Sequence, residues 1–163
     1  MGEESRAIVE RLAQLERHDL SEFRGTLPNA DGTYEIPWLP LFFEDPERRA
    51  YLIHFEGALA GFALTRPLEG EATSITAFFI VRALRRMGVG HHAALKLLRQ
   101  QPGRWGIAFQ EANPGAARFW RRVATDAVGS DWVEEPRPVP GMPDSPPDIW
   151  IFLDIHSSVG SAR

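Results

Sequence analysis

Residues 73–81, TSITAFFIV, are apolar at nearly every position, the mark of a strand covered on both faces and therefore central in its sheet. After Val81 come RALRRM, two glycines at Gly88 and Gly90, and an amphipathic run that stops at Pro102-Gly103. That pair ends a helix predicted over about 90–101. Glycine weakens a helix start unless the backbone must turn sharply or approach something closely. A buried strand, a basic glycine loop and a helix, in that order, thus predict an object bound at the loop.

The flanking segments complete a layered pattern. EESRAIVERLAQLERHDL carries Ile8, Leu12 and Leu15 at i, i+4, i+7 spacing with acidic residues in its first turn, which predicts an amphipathic helix. RGTLPNADGTYEIPWLP is rich in turn formers and reads as an irregular connection, with a short helix or pocket-lining loop at Trp38–Phe43. AYLIHFEGALAGFALTR predicts a hairpin turning at Glu56-Gly57. RWGIAFQ reads as a strand and NPGAARFWRRV as a helix with Pro114 in its first turn. GSDWVEE and DIWIFLDI read as late strands around the proline-rich PRPVPGMPDSPP, which cannot supply sheet hydrogen bonds. The expected fold is α+β: a central mixed, mostly antiparallel sheet with helices on both faces. One domain over 1–156 and a loose tail over 157–163 are expected.

A length of 163 residues suits a single core, and 44% apolar with 25% charged residues is ordinary for a globular chain. A net charge of −4 argues against bulk electrostatic binding to nucleic acid or anionic membrane. With no cysteine there is no disulfide, thiolate metal site or thiol nucleophile. His91 and His92 lie about 100° apart on a helix and cannot face one ion, so no metal is expected. No apolar run reaches the roughly 18 residues of a membrane span, and a cytoplasmic protein is the simplest expectation.

A helix N-terminus leaves about four N–H groups unpaired and carries roughly half a positive charge, so the loop before it suits an anion. Arg85 and Arg86 add attraction. Gly88, Gly90 and Ala93 also satisfy the G-x-G-x-x-A dinucleotide fingerprint, with Glu111 near the distance of an acidic ribose ligand. Against a nicotinamide dinucleotide stand the intervening RALRRM and the antiparallel hairpin ahead of it.

Strand, R-x-x-G-x-G and helix together resemble the GNAT superfamily of acetyl-coenzyme A dependent N-acetyltransferases. RRMGVG, Arg85 to Gly90, matches that superfamily's [QR]-x-x-G-x-[GA] signature, and NPGAARFW is similar to its N-x-x-A-x-x-F/L-Y segment, with Asn113, Ala116 and Phe119 in place. HDLSEF, DGTYEIPWL, YLIHFEGALAGFAL and FFIVRALRRMGVG resemble a little-characterised branch of predicted acetyltransferases, and the likeness covers about residues 7–155. It implies that backbone N–H groups from Arg86 through Met87, Gly88, Val89 and Gly90 to His91 take the pyrophosphate of acetyl-coenzyme A. It further implies that Phe79, Ile80 and Val81, beside a bulge that splays the sheet, pair with pantetheine as an added strand does. Asn113 would stand near the thioester and Phe119 pack beneath it.

Two departures from the family accompany the likeness. The tyrosine that reprotonates the leaving thiolate in the family is Trp120 here, and an indole cannot replace a phenol as proton donor. A coenzyme A binding module without turnover is therefore the alternative to an enzyme. The family opens on a strand before its first helix, whereas only about four residues precede the helical pattern here; that strand is expected to be missing, truncated or supplied by a partner. The protein is expected as a monomer or homodimer, with a small-molecule or peptide amine as acceptor. Tyr34, Trp38 and Phe78 are the expected acceptor contacts. Glu35, Glu44, His54 and Glu111 are candidate bases that the sequence does not rank, so no catalytic residue is assigned.

Overall fold

The computed structural model describes residues 2–156, and the tail expected over 157–163 lies outside the described residues. The chain divides into two compact units, the first holding the chain up to Arg66 with Ile75–Gly90, the second Pro67–Ser74 and the chain from His91 onward. Its strands form one α+β mixed sheet of six, with β1-β2-β3 running across the first unit and β4-β6-β5 across the second.

The first unit opens with α1, Glu3–Arg24, which places Glu3 and Glu4 at its positive end and closes on Gly25. Gly25 takes φ 66° and its N–H bonds the Ser21 carbonyl at 2.8 Å, a left-handed stop that only glycine adopts cheaply. The helix buries Val9, Leu12, Ala13 and Glu16. This corrects the expected stripe of Ile8, Leu12 and Leu15, since Leu15 is 52% exposed. Both stripes satisfy helical spacing, and packing chooses the one whose residues meet the sheet. After the irregular 25–40 segment, α2 (Leu41–Glu44) sets Phe42 into the same core.

Strands β1 (Arg49–Phe55) and β2 (Ala58–Pro67) form the expected antiparallel hairpin. Phe55 pairs with Ala58 across Glu56-Gly57, whose φ values of 50° and 81° are the two positive angles of a type I′ turn. The register shifts between Ile53 and His54, a bulge on β1. Strand β3 (Thr73–Ile80) is covered on both faces as its composition predicts. Ala77 and Phe79 join Val9, Leu12, Leu39, Phe42, Phe62 and Leu64 in one cluster, while Ile80 joins Ala60 and Val89 in another, with Phe78 packed against it. Gly61 of β2 permits the close approach of β3: a Cβ there would lie 1.9 Å from the Phe79 carbonyl oxygen.

Helix α3 (Val89–Gln100), which enters the second unit at His91, leads to β4 (Gly103–Phe109), α4 (Pro114–Val128), β5 (Trp132–Arg137) and β6 (Asp148–Ile155). Strand β6 lies between β4 and β5 and is antiparallel to both. Trp105, Ile107, Val123, Ile151 and Leu153 are buried there, and the Trp105 indole N–H is satisfied by the Gln101 carbonyl at 3.0 Å. Helix α4 starts as its sequence dictates: the Asn113 side chain accepts the Ala116 N–H at 3.1 Å, and Pro114 occupies the first turn, where its missing N–H costs nothing. Among the described residues, no helix is long and apolar enough to cross a membrane.

Candidate functional site: the Arg82–Val89 loop and the face of helix α1

At the end of β3, Val81 N–H donates to the Ala60 carbonyl at 2.9 Å, and a single 3₁₀ turn, Arg82–Leu84, redirects the chain. Arg85, Arg86, Met87 and Gly88 are then exposed, and α3 begins at Val89. Arg86 has φ 63° and Gly88 φ 78°, so two left-handed residues flank Met87. Such alternation of left-handed and ordinary backbone is the geometry of anion-binding concavities. For a residue with a side chain the left-handed state costs on the order of 1 kcal/mol, and it is held at Arg86 by the structure around it. Space is no constraint at Gly88, where an added Cβ would meet nothing within 4 Å; its backbone angle is what demands glycine.

The two leading arginines are not free arms. Arg85 donates through Nε to the Ile80 carbonyl at 2.8 Å and through Nη2 to Asp19 Oδ2, and its guanidinium stands 5.3 Å from the centroid of the Phe79 ring. Arg82 donates to Asp19 Oδ1 from Nε at 3.0 Å and from Nη2 at 2.7 Å. Burial pushes the Asp19 carboxyl up, but hydrogen bonds from Arg85 and Arg82 outweigh it and hold the carboxyl below its ordinary value. Asp19 of α1 therefore clamps both ends of the turn. Arg86 has no ion-pair partner among the described residues, so its charge remains available to an incoming anion.

Residues 10–124 match the acetyltransferase (GNAT) family. The chain belongs to that family. No curated protein matches it in sequence. Its fold is similar to an acetyltransferase from Thermus thermophilus, at TM-score 0.67 and 15% identity over 93% of this chain and 92% of that one. A GNAT-family acetyltransferase from Staphylococcus aureus aligns at TM-score 0.61 and 12% identity, covering 96% of both chains. A third, from Elizabethkingia anophelis with acetyl-CoA bound, aligns at 0.53 and 12% identity over 78% of this chain and 95% of that one.

Within this GNAT chain the remaining predicted residues are distributed as follows. Ile80 and Val81 each have one backbone group already engaged, the Ile80 carbonyl by Arg85 and the Val81 N–H by Ala60, and Phe79 turns its carbonyl toward Gly61 of β2. In the second unit Asn113 caps α4 with its side-chain oxygen, and Phe119 meets Trp120 edge-on at 4.8 Å between centroids. Trp120, which the sequence likeness sets at the family's tyrosine, is 7% exposed, a core position. His91 Nε2 lies 2.9 Å from Asp126 Oδ2. Glu111, the ribose ligand of the dinucleotide reading, is held by Arg121 Nη2 at 3.0 Å.

The three expected acceptor residues are not brought together. Gln14 of α1 grips Tyr34 through both backbone groups, at 3.0 Å to its carbonyl and 2.7 Å from its N–H. Trp38 packs against the α1 cluster, whereas Phe78 packs with the cluster on the opposite face of β3. Adjacent strand residues point to opposite faces, and a strand apolar throughout carries no polar mark to say which is which. Of the candidate bases, Glu35, Glu44 and His54 are exposed, as is Glu111.

Sequence reasoning overlooked Glu16. It is 9% exposed, and burial raises its carboxyl to about 7 against the weaker opposing pull of Arg17 and Arg24. The signal was present: Glu16 follows Val9, Leu12 and Ala13 at helical spacing. Arg17 beside it stacks on Trp38 at 5.0 Å, and its buried Nε has no hydrogen-bond partner among the described residues.

Proposed function

We propose that this protein transfers the acetyl group of acetyl-coenzyme A to a primary amine by direct attack of the amine on the thioester. The observation that carries the reading is the exposed loop of a GNAT chain whose Arg86 and Gly88 both hold left-handed backbone at the mouth of α3. That loop fits a pyrophosphate: N–H groups of the first helical turn, the helix dipole and the Arg86 charge all favour an anion. Arg85 and Arg82 act indirectly in this reading, locking the loop onto α1 through Asp19. When bound, the cofactor supplies the activated acyl group. The protein's part is to hold it, to present a neutral amine and to exclude water, and positioning two reactants is worth several kcal/mol.

A coenzyme A binding module without turnover is the second reading, and the buried Trp120 favours it, since an indole offers no acid to a leaving thiolate. Thermal melting with acetyl-coenzyme A and with NAD, followed by release of free thiol across a polyamine, an aminosugar and a peptide N-terminus, separates the possibilities. Stabilisation by acetyl-coenzyme A with thiol release supports the enzyme; stabilisation without release supports the module. A response to NAD alone would defeat both.

A further inference from the structure

The middle of the buried face of α1 holds a carboxylate where the spacing calls for an apolar residue. Glu16 shares that face with Val9, Leu12 and Ala13, yet no hydrogen bond or ion pair reaches its carboxylate among the described residues. An unpaired buried carboxylate is costly, and a chain that needed only packing there would carry leucine. Next to it, the buried Arg17 Nε is equally unmatched. A carboxylate on the buried face that accepts no hydrogen bond, beside an Arg17 Nε that donates none, points to a partner that arrives from outside.

Position says which. Three residues beyond Glu16, about 4.5 Å along the axis, Asp19 holds Arg82 and Arg85 of the loop described above. Arg85 lies over Phe79, and Phe79 belongs to the same core cluster as Val9, Leu12 and Ala13. Glu16 is therefore on the helix face whose apolar residues share a core cluster with Phe79, three residues from the anchor of the cofactor loop. At 9% exposure it is nearly but not wholly withdrawn from solvent.

We propose that Glu16 is the proton acceptor for the incoming amine, an assignment that rests on the acyl-transfer reading. The alkylammonium gives one proton to the Glu16 carboxylate. The freed nitrogen lone pair forms the C–N bond at the thioester carbonyl carbon, and the C–S bond breaks with its electron pair leaving on sulfur. The proton that nitrogen loses as the tetrahedral intermediate collapses goes by way of water to the thiolate, giving amide and free thiol, and Glu16 returns its proton to solvent. Because burial brings the carboxyl to about 7, its ionised form is a stronger base than an exposed glutamate while still populated near neutral pH. The charged groups around it are Arg17, Asp19 and Arg24 on α1, with Arg82 and Arg85 of the loop both paired to Asp19, two guanidiniums on one carboxylate.

The test follows kcat/KM for thiol release against pH, with the polyamine, aminosugar and peptide acceptors, in wild type, Glu16→Gln and Glu16→Asp. The wild-type rate should fall as pH drops through about 7. Glu16→Gln should lose roughly 10²- to 10⁴-fold in kcat and that acid limb with it, while acetyl-coenzyme A binds it as tightly as wild type by calorimetry. Glu16→Asp, which keeps a carboxylate, should exceed the Gln variant by roughly tenfold or more and retain the limb. Turnover of Glu16→Gln within about threefold of wild type, or an unchanged acid limb, would overturn the assignment alone. If Glu16→Gln does not fold, the Asp variant decides: loss of its acid limb overturns the assignment, retention supports it. Wild type that binds acetyl-coenzyme A but releases no thiol to any acceptor would instead overturn the transfer reading, and this assignment with it.

Discussion

Glu16 and Gly88 each carry a consequence that follows from one residue. Glu16 titrates at about 7 in the folded protein against an ordinary value of 4.5, because burial disfavours its charge. The folded state therefore binds its proton more tightly than the unfolded chain does. Its contribution is fully present below pH 4.5 and is lost as pH rises through about 7. By linkage the loss amounts to about 3 kcal/mol. Urea denaturation at intervals from about pH 4 to about pH 8 should show Glu16→Gln gaining on wild type by that amount across the window, and parallel curves would show that the carboxyl is not buried. Gly88 is open to solvent but left-handed. Gly88→Val should cost the fold only about 1–2 kcal/mol of backbone strain while lowering affinity for acetyl-coenzyme A at least tenfold by calorimetry, because the strained loop no longer presents its N–H groups. Equal affinity would remove the loop from the cofactor site.

At the scale of elements, two junctions are sensitive for different reasons. Gly61 lets β2 lie against β3, and a Cβ there would sit 1.9 Å from the Phe79 carbonyl oxygen, which is backbone and cannot swing aside. Gly61→Ala should therefore destabilise by roughly 3 kcal/mol or more, read as a fall in melting temperature, and a neutral result would mean the strands separate there without cost. Asn113 is a local device: its cap on the Ala116 N–H is worth about 1 kcal/mol to α4, and Asn113→Ala should lose that much by denaturant titration. The helix start at Pro114 was readable from NPG alone, as was the Glu56-Gly57 hairpin, because the atoms involved are within a few residues of each other. The buried stripe of α1 was not, because Ile8-Leu12-Leu15 and Val9-Leu12-Ala13 are equally periodic and only the sheet beneath distinguishes them.

For the molecule as a whole, a ligand that binds only the folded state stabilises it by mass action: acetyl-coenzyme A at about 100 times its Kd should add roughly 2.7 kcal/mol. The same excess of NAD should leave the melting temperature unchanged; no response to acetyl-coenzyme A would defeat the proposed function outright. The order of elements, the strand buried on both faces and the basic glycine loop before a helix were all settled within the sequence. Each depends on periodicity, turn chemistry or backbone angle over a handful of neighbouring residues. Tertiary structure decided the rest. Asp19 meets Arg82 and Arg85 across more than sixty residues of chain, β6 enters between β4 and β5 rather than following β5 outward, and Glu16 is driven into the core by the neighbours that share its helix face. None of these has a local signature, because a charge pair, a strand position and a desolvated carboxylate are properties of what lies opposite a residue, and that is known only when the chain has closed on itself.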